Sequence, residues 1–305
     1  MTVAASAPGR CSIAGAPSDI YGGCVVSCSV PLRARCRLVF GEGDERPENE
    51  TLWLAAAARF PVEPCRVEWG SDVPESSGLA GSTALLAATL ACILGARGEP
   101  PDLSTEEGRA RFAELVRDVE LNEAGVVCGY QDAYMAVFGG LQRLDFAGKH
   151  PIVSGPPAGV TPVRAELPFL LITTGVKRLS GSVHGPMRER WLRGDREVVE
   201  AMERIAQIGR EGAEALAAGD WDALAPLMSE NQRIVRSLGG SGEAVDRLVD
   251  DCLDCGARSA RLAGAGMGGT VIALSENAES LEACLKRRGY ERFARPAIEE
   301  GLRFD

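Results

Sequence analysis

A hydroxyl-rich and glycine-rich turn that leads directly into a long apolar segment dominates the stretch from Pro74 to Gly95. The turn covers Ser76 to Ser82, and about fifteen residues of mainly Ala, Leu, Ile and Thr follow it. Such a run predicts a helix that is buried on nearly all sides. The start of a helix has unpaired N–H donors and a partial positive charge, and glycine lets the backbone approach a ligand, so this turn is a predicted phosphate site. A Gly/Ser turn in an ordinary core is the alternative.

The bulk composition limits the class of protein. A chain of 305 residues, 45% of them hydrophobic, is long enough for a large core in two lobes. The net charge of −10 and the lack of a basic run argue against nucleic acid as a partner. We expect no signal peptide, because the N-terminus lacks a charged region followed by an apolar one, and no membrane span, because no apolar run reaches roughly 18 residues. The expected location is the cytoplasm.

The ten cysteines lie at scattered and mostly apolar positions, so we expect them to be reduced core residues. The clearest cases are Cys11, Cys24, Cys28, Cys36, Cys92, Cys128 and Cys284. Cys252 and Cys255 form a single CxxC within a helical pattern, which favours packing over a redox or zinc site. The presence of only two histidines, His150 and His184, disfavours a histidine-rich metal hydrolase.

The pattern of apolar and turn-forming residues predicts alternating helices and strands. The predicted elements are strands over 3–14, 24–40 and 65–70, helices over 51–60 and 105–124 on either side of the apolar helix, and a strand after the paired glycines at 139–140. Ser104 and Glu107 predict a capping box for the second of these helices. A Pro/Gly-rich connector near Gly155 predicts a lobe boundary. After this connector we predict a strand, three helices that begin at Arg188, and a further helical segment. The last part of the chain is predicted to form a strand, a glycine loop, a strand, a helix and a strand.

Three polar groups of residues interrupt this framework. The turn-rich loop from Gly15 to Gly23 could present its side chains to a polar ligand or simply form turns. A carboxylate at Asp132, close to Tyr130 and Phe138, is expected to be partly buried, which points to function, although a helix cap is the alternative. Lysine and arginine around residue 178 could bind an acidic substrate or could be solvated.

Three glycine-centred stretches, in this order, resemble the three motifs of the GHMP kinases, which include galactokinase, homoserine kinase, mevalonate kinase and phosphomevalonate kinase. The stretches are APGRCSIAGAPSD, SSGLAGSTALLAA and AGAGMGGTVIAL. The resemblance covers the whole chain. It implies an α+β, two-lobed GHMP kinase fold, with an N-terminal ribosomal-S5-domain-2-like lobe over 1–155 and a C-terminal ferredoxin-like lobe with added helices over 156–305.

Within this superfamily, PSDIYGG, GLAGS and GYQDAYMAVFGG resemble the glucuronokinases, and QDxYxAxFGG is also similar to the heptose-7-phosphate kinases. Both relatives phosphorylate an anomeric hydroxyl. The resemblance therefore implies an ATP- and Mg²⁺-dependent sugar 1-kinase for glucuronate or a related acidic sugar, acting as a monomer or homodimer. A kinase for a sugar phosphate such as heptose 7-phosphate, or a non-catalytic homologue that binds ligand, is the alternative.

The resemblance also assigns roles to single residues. Asp132 would orient or deprotonate the sugar hydroxyl, and Ser82 and Glu120 would hold Mg²⁺, with Glu123 in place of Glu120 if the alignment shifts. The residues implied to bind the ATP phosphates are Ser77, Gly78, Leu79, Ala80, Gly81, Ser82 and Thr83, with a third glycine loop of Gly264, Gly266, Gly268 and Gly269 nearby. The implied substrate contacts are Ser18, Asp19, Tyr21, Tyr130, Gln131, Lys177, Arg178, His184 and Arg188.

The first motif lacks the Glu-His-x-Asp of galactokinases, and two further positions depart from the pattern of the family. Gly81 replaces the first serine of the usual pair, and Ser182 stands where glucuronokinases have a lysine before the histidine. The second change leaves the binding of a substrate carboxylate to the neighbouring basic residues.

Overall fold

A computed structural model describes residues 1–47, 50–152, 155–176, 184–264, 266 and 269–305. The first half of the chain contains β1 (Thr2–Ala14), a 3-10 helix (Ser18–Tyr21), β2 (Cys24–Phe40), α1 (Thr51–Arg59), β3 (Cys65–Ser71), α2 (Gly81–Ala96), α3 (Glu106–Asn122), α4 (Gln131–Phe138) and β4 (Leu141–Asp145). The second half contains β5 (Gly159–Pro162), β6 (Phe169–Thr173), α5 (His184–Leu192), α6 (Arg196–Ala218), α7 (Trp221–Ser237), α8 (Glu243–Asp254), β7 (Ser259–Leu262), β8 (Thr270–Leu274), α9 (Ala278–Arg287), β9 (Phe293–Ala294) and β10 (Arg303–Phe304).

The N-terminal lobe is an antiparallel sheet covered by helices. Its strand order is β10-β1-β2-β4-β5, with β3 paired to β2. Helix α2 contacts β1 and β2 of this sheet as well as α1, α3 and α4. The apolar helix therefore lies at the centre of the lobe.

Helix α2 has no polar face along most of its length. Nearly all of its residues between Thr83 and Leu94 are buried. A helix without a polar face must be covered on all sides, and the sheet and the three neighbouring helices provide this cover. The prediction of a buried helix after the glycine turn is confirmed.

The C-terminal lobe has a second antiparallel sheet, in the order β7-β8-β6-β9. Along the chain this lobe runs β6, helices, β7, β8, α9 and β9. In the sheet, the first of these strands, β6, lies between the third, β8, and the fourth, β9, which is the ferredoxin-like arrangement. Helices α5 to α8 are all inserted between β6 and β7. The predicted α+β fold, with added helices in a ferredoxin-like lobe, is confirmed.

The two lobes are interleaved along the chain. Strands β5 and β10 join the N-terminal sheet, although both lie on the C-terminal side of the predicted boundary at 155 and 156. In β10, Phe304 pairs with Ala5 of β1, so the end of the described chain returns to the first lobe. The boundary itself stays a prediction.

Two local predictions about helix starts were wrong. Thr105, and not Ser104, caps α3, because its side chain accepts a hydrogen bond from the Gly108 amide while the Ser104 hydroxyl donates to Asp102. Helix α5 begins at His184, one turn before the predicted start at Arg188. None of the described helices is long and apolar enough to cross a bilayer.

The expectation that all cysteines are reduced is also wrong. Cys255, at the end of α8, forms a disulfide with Cys284 of α9, with 5.7 Å between their Cα atoms. Cys252 is a buried free thiol, so only this member of the CxxC has the predicted packing role. The bridge was not predictable from spacing, because the two cysteines come together only when α9 packs beside α8.

Candidate active site

The glycine-rich turn forms an open helix start. Ala80, the residue before α2, has a left-handed backbone with φ of 61°, and Ser76 has φ of 54°. Such conformations are unfavourable for residues with a side chain and persist where the surroundings impose them. In the described part of the chain, no side chain caps α2, so its first N–H groups are available to an anion.

A buried hydroxyl in this turn lacks a partner. Ser77 is 3% exposed, and its Oγ atom has no hydrogen-bond partner within the described residues. Buried polar atoms in folded proteins nearly always have a partner, so an orphan calls for an explanation. An oxygen of a ligand bound in the turn would provide one.

The third glycine loop packs directly on the same turn. A Cβ atom on Gly264 would lie 2.3 Å from the carbonyl oxygen of Gly78, and one on Gly269 would lie 2.7 Å from that of Ser77. The Thr270 hydroxyl donates to the same Ser77 carbonyl at 2.9 Å. These glycines are therefore required for close approach of two backbone segments. Gly266 packs on Gly240 instead, and Gly268 lies outside the described residues.

Arg10 connects Asp132 to the glycine turn, because it contacts both. This arginine lies in β1, is 4% exposed, and donates from Nε and Nη2 to Asp132 Oδ1 at 2.8 and 2.6 Å. Its Nη1 donates to the carbonyl oxygen of Gly78 at 2.6 Å. The Asp132 side chain is 31% exposed, and no described residue hydrogen-bonds its Oδ2. The carboxylate is thus fixed at the mouth of the glycine turn, with one oxygen left for a ligand.

Asp19, and not Asp132, caps α4. Asp19 Oδ2 accepts hydrogen bonds from the amides of Tyr130 and Gln131 at 2.7 and 3.0 Å. A Cβ on Gly129 would lie 2.1 Å from this oxygen, so only glycine fits there. Because another residue caps the helix, the alternative capping role of Asp132 is excluded.

Glu120 is a buried carboxylate beside the first turn of α2. It is 4% exposed, and both of its oxygens lie 2.9 Å from the hydroxyl of Thr83. Burial, and next the charge of Asp132, raise the pKa of Glu120 to about 7, while Thr83 opposes the shift. Glu123 instead forms an ion pair with Arg59 at 3.1 Å. Of the two candidate glutamates, Glu120 is therefore the one that faces α2.

The donors present fit magnesium only together with a nucleotide. The described residues contain no group of three or more His, Cys, Asp or Glu that could hold a metal. Magnesium in phosphoryl-transfer sites is typically held by one or two carboxylates together with phosphate oxygens and water. Glu120 supplies one buried carboxylate, and Ser82 lies exposed at the second position of α2.

Three predicted sugar contacts do not fit the structure. Ser18 and Tyr130 have no exposed surface, so neither can touch a ligand in this conformation. The Ser18 hydroxyl donates to the carbonyl of Gly15 within its own turn. Gln131 is also buried and donates to the hydroxyl of Ser27. These three buried side chains therefore stabilise the loops and helix of the candidate site without being exposed to a ligand.

Tyr21 belongs to a partly exposed aromatic cluster, and Arg188 lies on the same helix, α5, as the Trp191 of that cluster. The rings of Tyr21 and Trp191 lie 5.4 Å apart, and His150 meets Trp191 edge-on at 4.8 Å. Arg188 donates to the carbonyl of Pro151 at 3.2 Å. Burial and the charge of Asp19 raise the pKa of Tyr21, while the charge of Arg188 opposes this shift. Lys177, Arg178 and the side chain of His184 lie outside the described residues.

Arg10 and Trp191 contact predicted site residues although the sequence predicted no role for them, and His150 packs against Trp191. Arg10 had a usable signal, because it is a lone charged residue in an otherwise uncharged strand. Such a residue is rarely buried without a partner. The aromatic contacts of Trp191 had no such signal, because they depend on the packing of α5.

Two family models match this chain. The models for the GHMP kinases N terminal domain and the GHMP kinases C terminal match residues 50–140 and 213–291, which together make up more than half of the chain. A probable glucuronokinase 2 of Arabidopsis thaliana is 31% identical over 189 residues, or 61% of this chain and 48% of its own length. The match thus spans about half of that relative.

Two further proteins match over nearly the whole chain. The D-glycero-alpha-D-manno-heptose 7-phosphate kinase of Campylobacter jejuni is 24% identical over 333 residues, which cover 95% of both chains. Among solved structures, Lactococcus lactis galactokinase complexed with galactose has a TM-score of 0.76 at 16% identity and covers 99% of this chain and 95% of its own. At that identity the likeness shows a shared fold.

Proposed function

Because the chain belongs to the GHMP kinase family, we propose that it is an ATP-dependent sugar 1-kinase that phosphorylates the anomeric hydroxyl of glucuronate or a related acidic sugar. The observation that carries the proposal is the link from Asp132 through Arg10 to the carbonyl of Gly78. It joins the carboxylate at the mouth of the turn to the segment that would hold the phosphates.

Phosphoryl transfer requires in-line positioning and positive charge around the transferred group. In the proposed reaction, the N–H groups at the start of α2 and in the turn bind the phosphates of ATP. Asp132 Oδ2 orients the sugar hydroxyl and accepts its proton. Arg10 holds the other carboxylate oxygen and so fixes the direction of Oδ2.

Magnesium would be held by Ser82 and Glu120. When bound, the ion neutralises charge on the phosphate oxygens. The burial of Glu120 beside Thr83, in the first turn of α2, supports this role, because a buried carboxylate is stabilised by a bound cation.

The aromatic cluster supports an acidic acceptor. Arg188 lies on α5, three residues before Trp191, and the ring of Trp191 packs against Tyr21. A guanidinium binds a carboxylate or a phosphate through parallel hydrogen bonds, and the half-buried ring of Trp191 offers a face to a sugar.

A panel of acceptors tests this function. The purified protein would be incubated with ATP, Mg²⁺ and, separately, free uronic acids, the matching neutral sugars and sugar phosphates, and ADP release would be measured. We expect turnover with a free uronic acid and an acid-labile phosphate at the anomeric carbon of the product. Phosphorylation at another hydroxyl, or turnover only with neutral sugars, would contradict the proposal.

The alternative acceptor is a sugar phosphate such as heptose 7-phosphate. It is favoured by the relative from Campylobacter jejuni, which matches over 95% of both chains. Turnover of sugar phosphates alone in the same panel would establish it. ATP binding without turnover of any acceptor would instead indicate a non-catalytic homologue.

A further inference from the structure

A buried tyrosine behind the candidate site is held by two cations. The Arg117 guanidinium carbon lies 4.3 Å from the ring centroid of Tyr130, and the Lys149 ammonium lies 4.4 Å from it. Tyr130 is fully buried, and Arg117 and Lys149 are 6% and 4% exposed. Cations over an aromatic face are attracted by its electron density, and more strongly when water is excluded.

The contact is made by the ring and not by the hydroxyl group. Tyr130 Oη is buried without a hydrogen-bond partner among the described residues, and so is Nε of Arg117. An orphan hydroxyl adds nothing to the contact and is itself unfavourable. The arrangement of these three residues therefore depends on the aromatic face.

Both cations are anchored in the N-terminal lobe. Lys149 forms an ion pair with Glu114 at 2.7 Å, and the same carboxylate accepts a hydrogen bond from Tyr134. Arg117 lies on α3, three residues before Glu120. The cluster thus ties α3 and the turn after β4 to α4.

Tyr130 is the residue directly before α4, and Asp132 lies in the first turn of that helix. The Tyr130 amide is fixed by Asp19 at 2.7 Å, while its ring is fixed by the two cations. Rotation or sliding of α4 would move Asp132 away from the glycine turn, and a displacement of about 1 Å can lower a rate about 100-fold.

We infer that Arg117 and Lys149 are positioning residues that act through the ring of Tyr130 to set the place of Asp132. The inference rests on the proposed role of Asp132 in the kinase reaction. Neither cation touches the acceptor. They determine where the carboxylate stands when the acceptor binds.

Variants at Tyr130 separate the ring from the hydroxyl. We expect Tyr130→Leu, which removes the aromatic face but keeps an apolar side chain, to lower kcat about 10- to 100-fold, with the KM for ATP changed less than about 2-fold. Tyr130→Phe, which keeps the face, should recover at least about 10-fold of that loss. Equal loss in both variants would show that the hydroxyl acts, and would overturn the inference.

Lysine variants provide an independent test in case Tyr130→Leu fails to fold. Lys149→Met should lower kcat like Tyr130→Leu. The matched control is Lys286→Met, because Lys286 also lies over a ring, 5.6 Å from the centroid of Phe293, but on the exposed surface of the other lobe. Wild-type kcat in a folded Lys149→Met variant would overturn the inference.

A second measurement separates this inference from the proposed function. Amide hydrogen exchange in α4 can be measured without any sugar substrate. The exchange should become at least about 10-fold faster in Lys149→Met but not in Lys286→Met. Faster exchange in a protein that phosphorylates no sugar would reject the proposed function and leave the anchoring intact. Unchanged exchange in Lys149→Met would reject the anchoring whatever the substrate.

Discussion

Arg10 and Asp132 are joined by a 2.6 Å ion pair, although 122 residues separate them in the chain. The arginine comes from the first strand and the aspartate from the first turn of α4. Both contacts of the guanidinium with Asp132 are made to Oδ1, so the pair leaves Oδ2 available to a ligand. A substitution of Asp132 therefore tests directly whether this free oxygen acts on the acceptor.

Replacement of this carboxylate tests the proposed base. We expect Asp132→Asn to lower kcat by about 10²- to 10⁴-fold, because general-base assistance has that size. The KM for ATP should change little, since the amide oxygen can still accept a hydrogen bond from Arg10 and so keep the contact of Arg10 with the Gly78 carbonyl. Initial rates of ADP release at saturating acceptor measure the effect, and a circular dichroism spectrum like that of the wild type shows that the variant is folded. Near-normal turnover would remove Asp132 from this role.

The titration of Glu120 predicts a pH-dependent stability. Its pKa is raised from 4.5 to about 7 in the folded protein, so between these values the folded state binds more protons than the unfolded state. Stability must therefore fall as pH rises through this window, by about 3 kcal/mol in total.

Glu120→Gln should abolish this part of the pH dependence. Urea unfolding of the metal-free protein below, within and above the window measures it, and the difference between wild type and variant isolates the single group. A constant difference across the three pH values would mean that Glu120 titrates normally.

The close packing of the glycine loops predicts the effect of one methyl group. In Gly264→Ala, the new Cβ atom would lie 2.3 Å from the carbonyl oxygen of Gly78, so the turn must shift. We expect the KM for ATP to rise about 10-fold and the free energy of unfolding to fall by about 1–3 kcal/mol. Gly70→Ala is the matched control, because nothing lies within 4 Å of its Cβ position. The same ATP affinity in both variants would contradict the assignment of this loop.

If the acceptor is acidic, loss of the basic residue that binds it should change the KM for the sugar but not the KM for ATP. Arg188→Met should raise the KM for the acidic sugar about 10- to 100-fold, as expected for loss of a charge-assisted hydrogen bond, and leave the KM for ATP unchanged. Arg193→Met is the control, because Arg193 is exposed just after the same helix and pairs only with Glu189 among the described residues. If both variants behave alike, the acidic group is bound elsewhere.

The disulfide predicts a redox-dependent stability. Cys255 and Cys284 are 29 residues apart in sequence, and closing a loop of this length stabilises a fold by about 3–4 kcal/mol in the chain-entropy model. Reduction with dithiothreitol should therefore lower the midpoint of denaturant unfolding. The Cys255→Ser variant should begin at that lower value and not respond to the reductant. An equal response of the variant would place the sensitivity at another cysteine.

The sequence alone determined most of the elements and the order of the motifs. The apolar run after the glycine turn predicted a buried helix, and the strand, glycine loop and strand near the C-terminus were recognisable from turn residues and β-branched residues. These features are local, because period and turn chemistry are properties of neighbours in the chain.

Tertiary structure decided which groups meet. Asp19 and not Asp132 caps α4, Arg10 pairs with Asp132, and the buried Tyr130 packs against two cations instead of facing a sugar. Cys255 and Cys284 are bonded although their spacing gave no sign of it. Most of these contacts join segments that are far apart in sequence. Their formation depends on how sheet and helices pack, and no local pattern of residues records that packing.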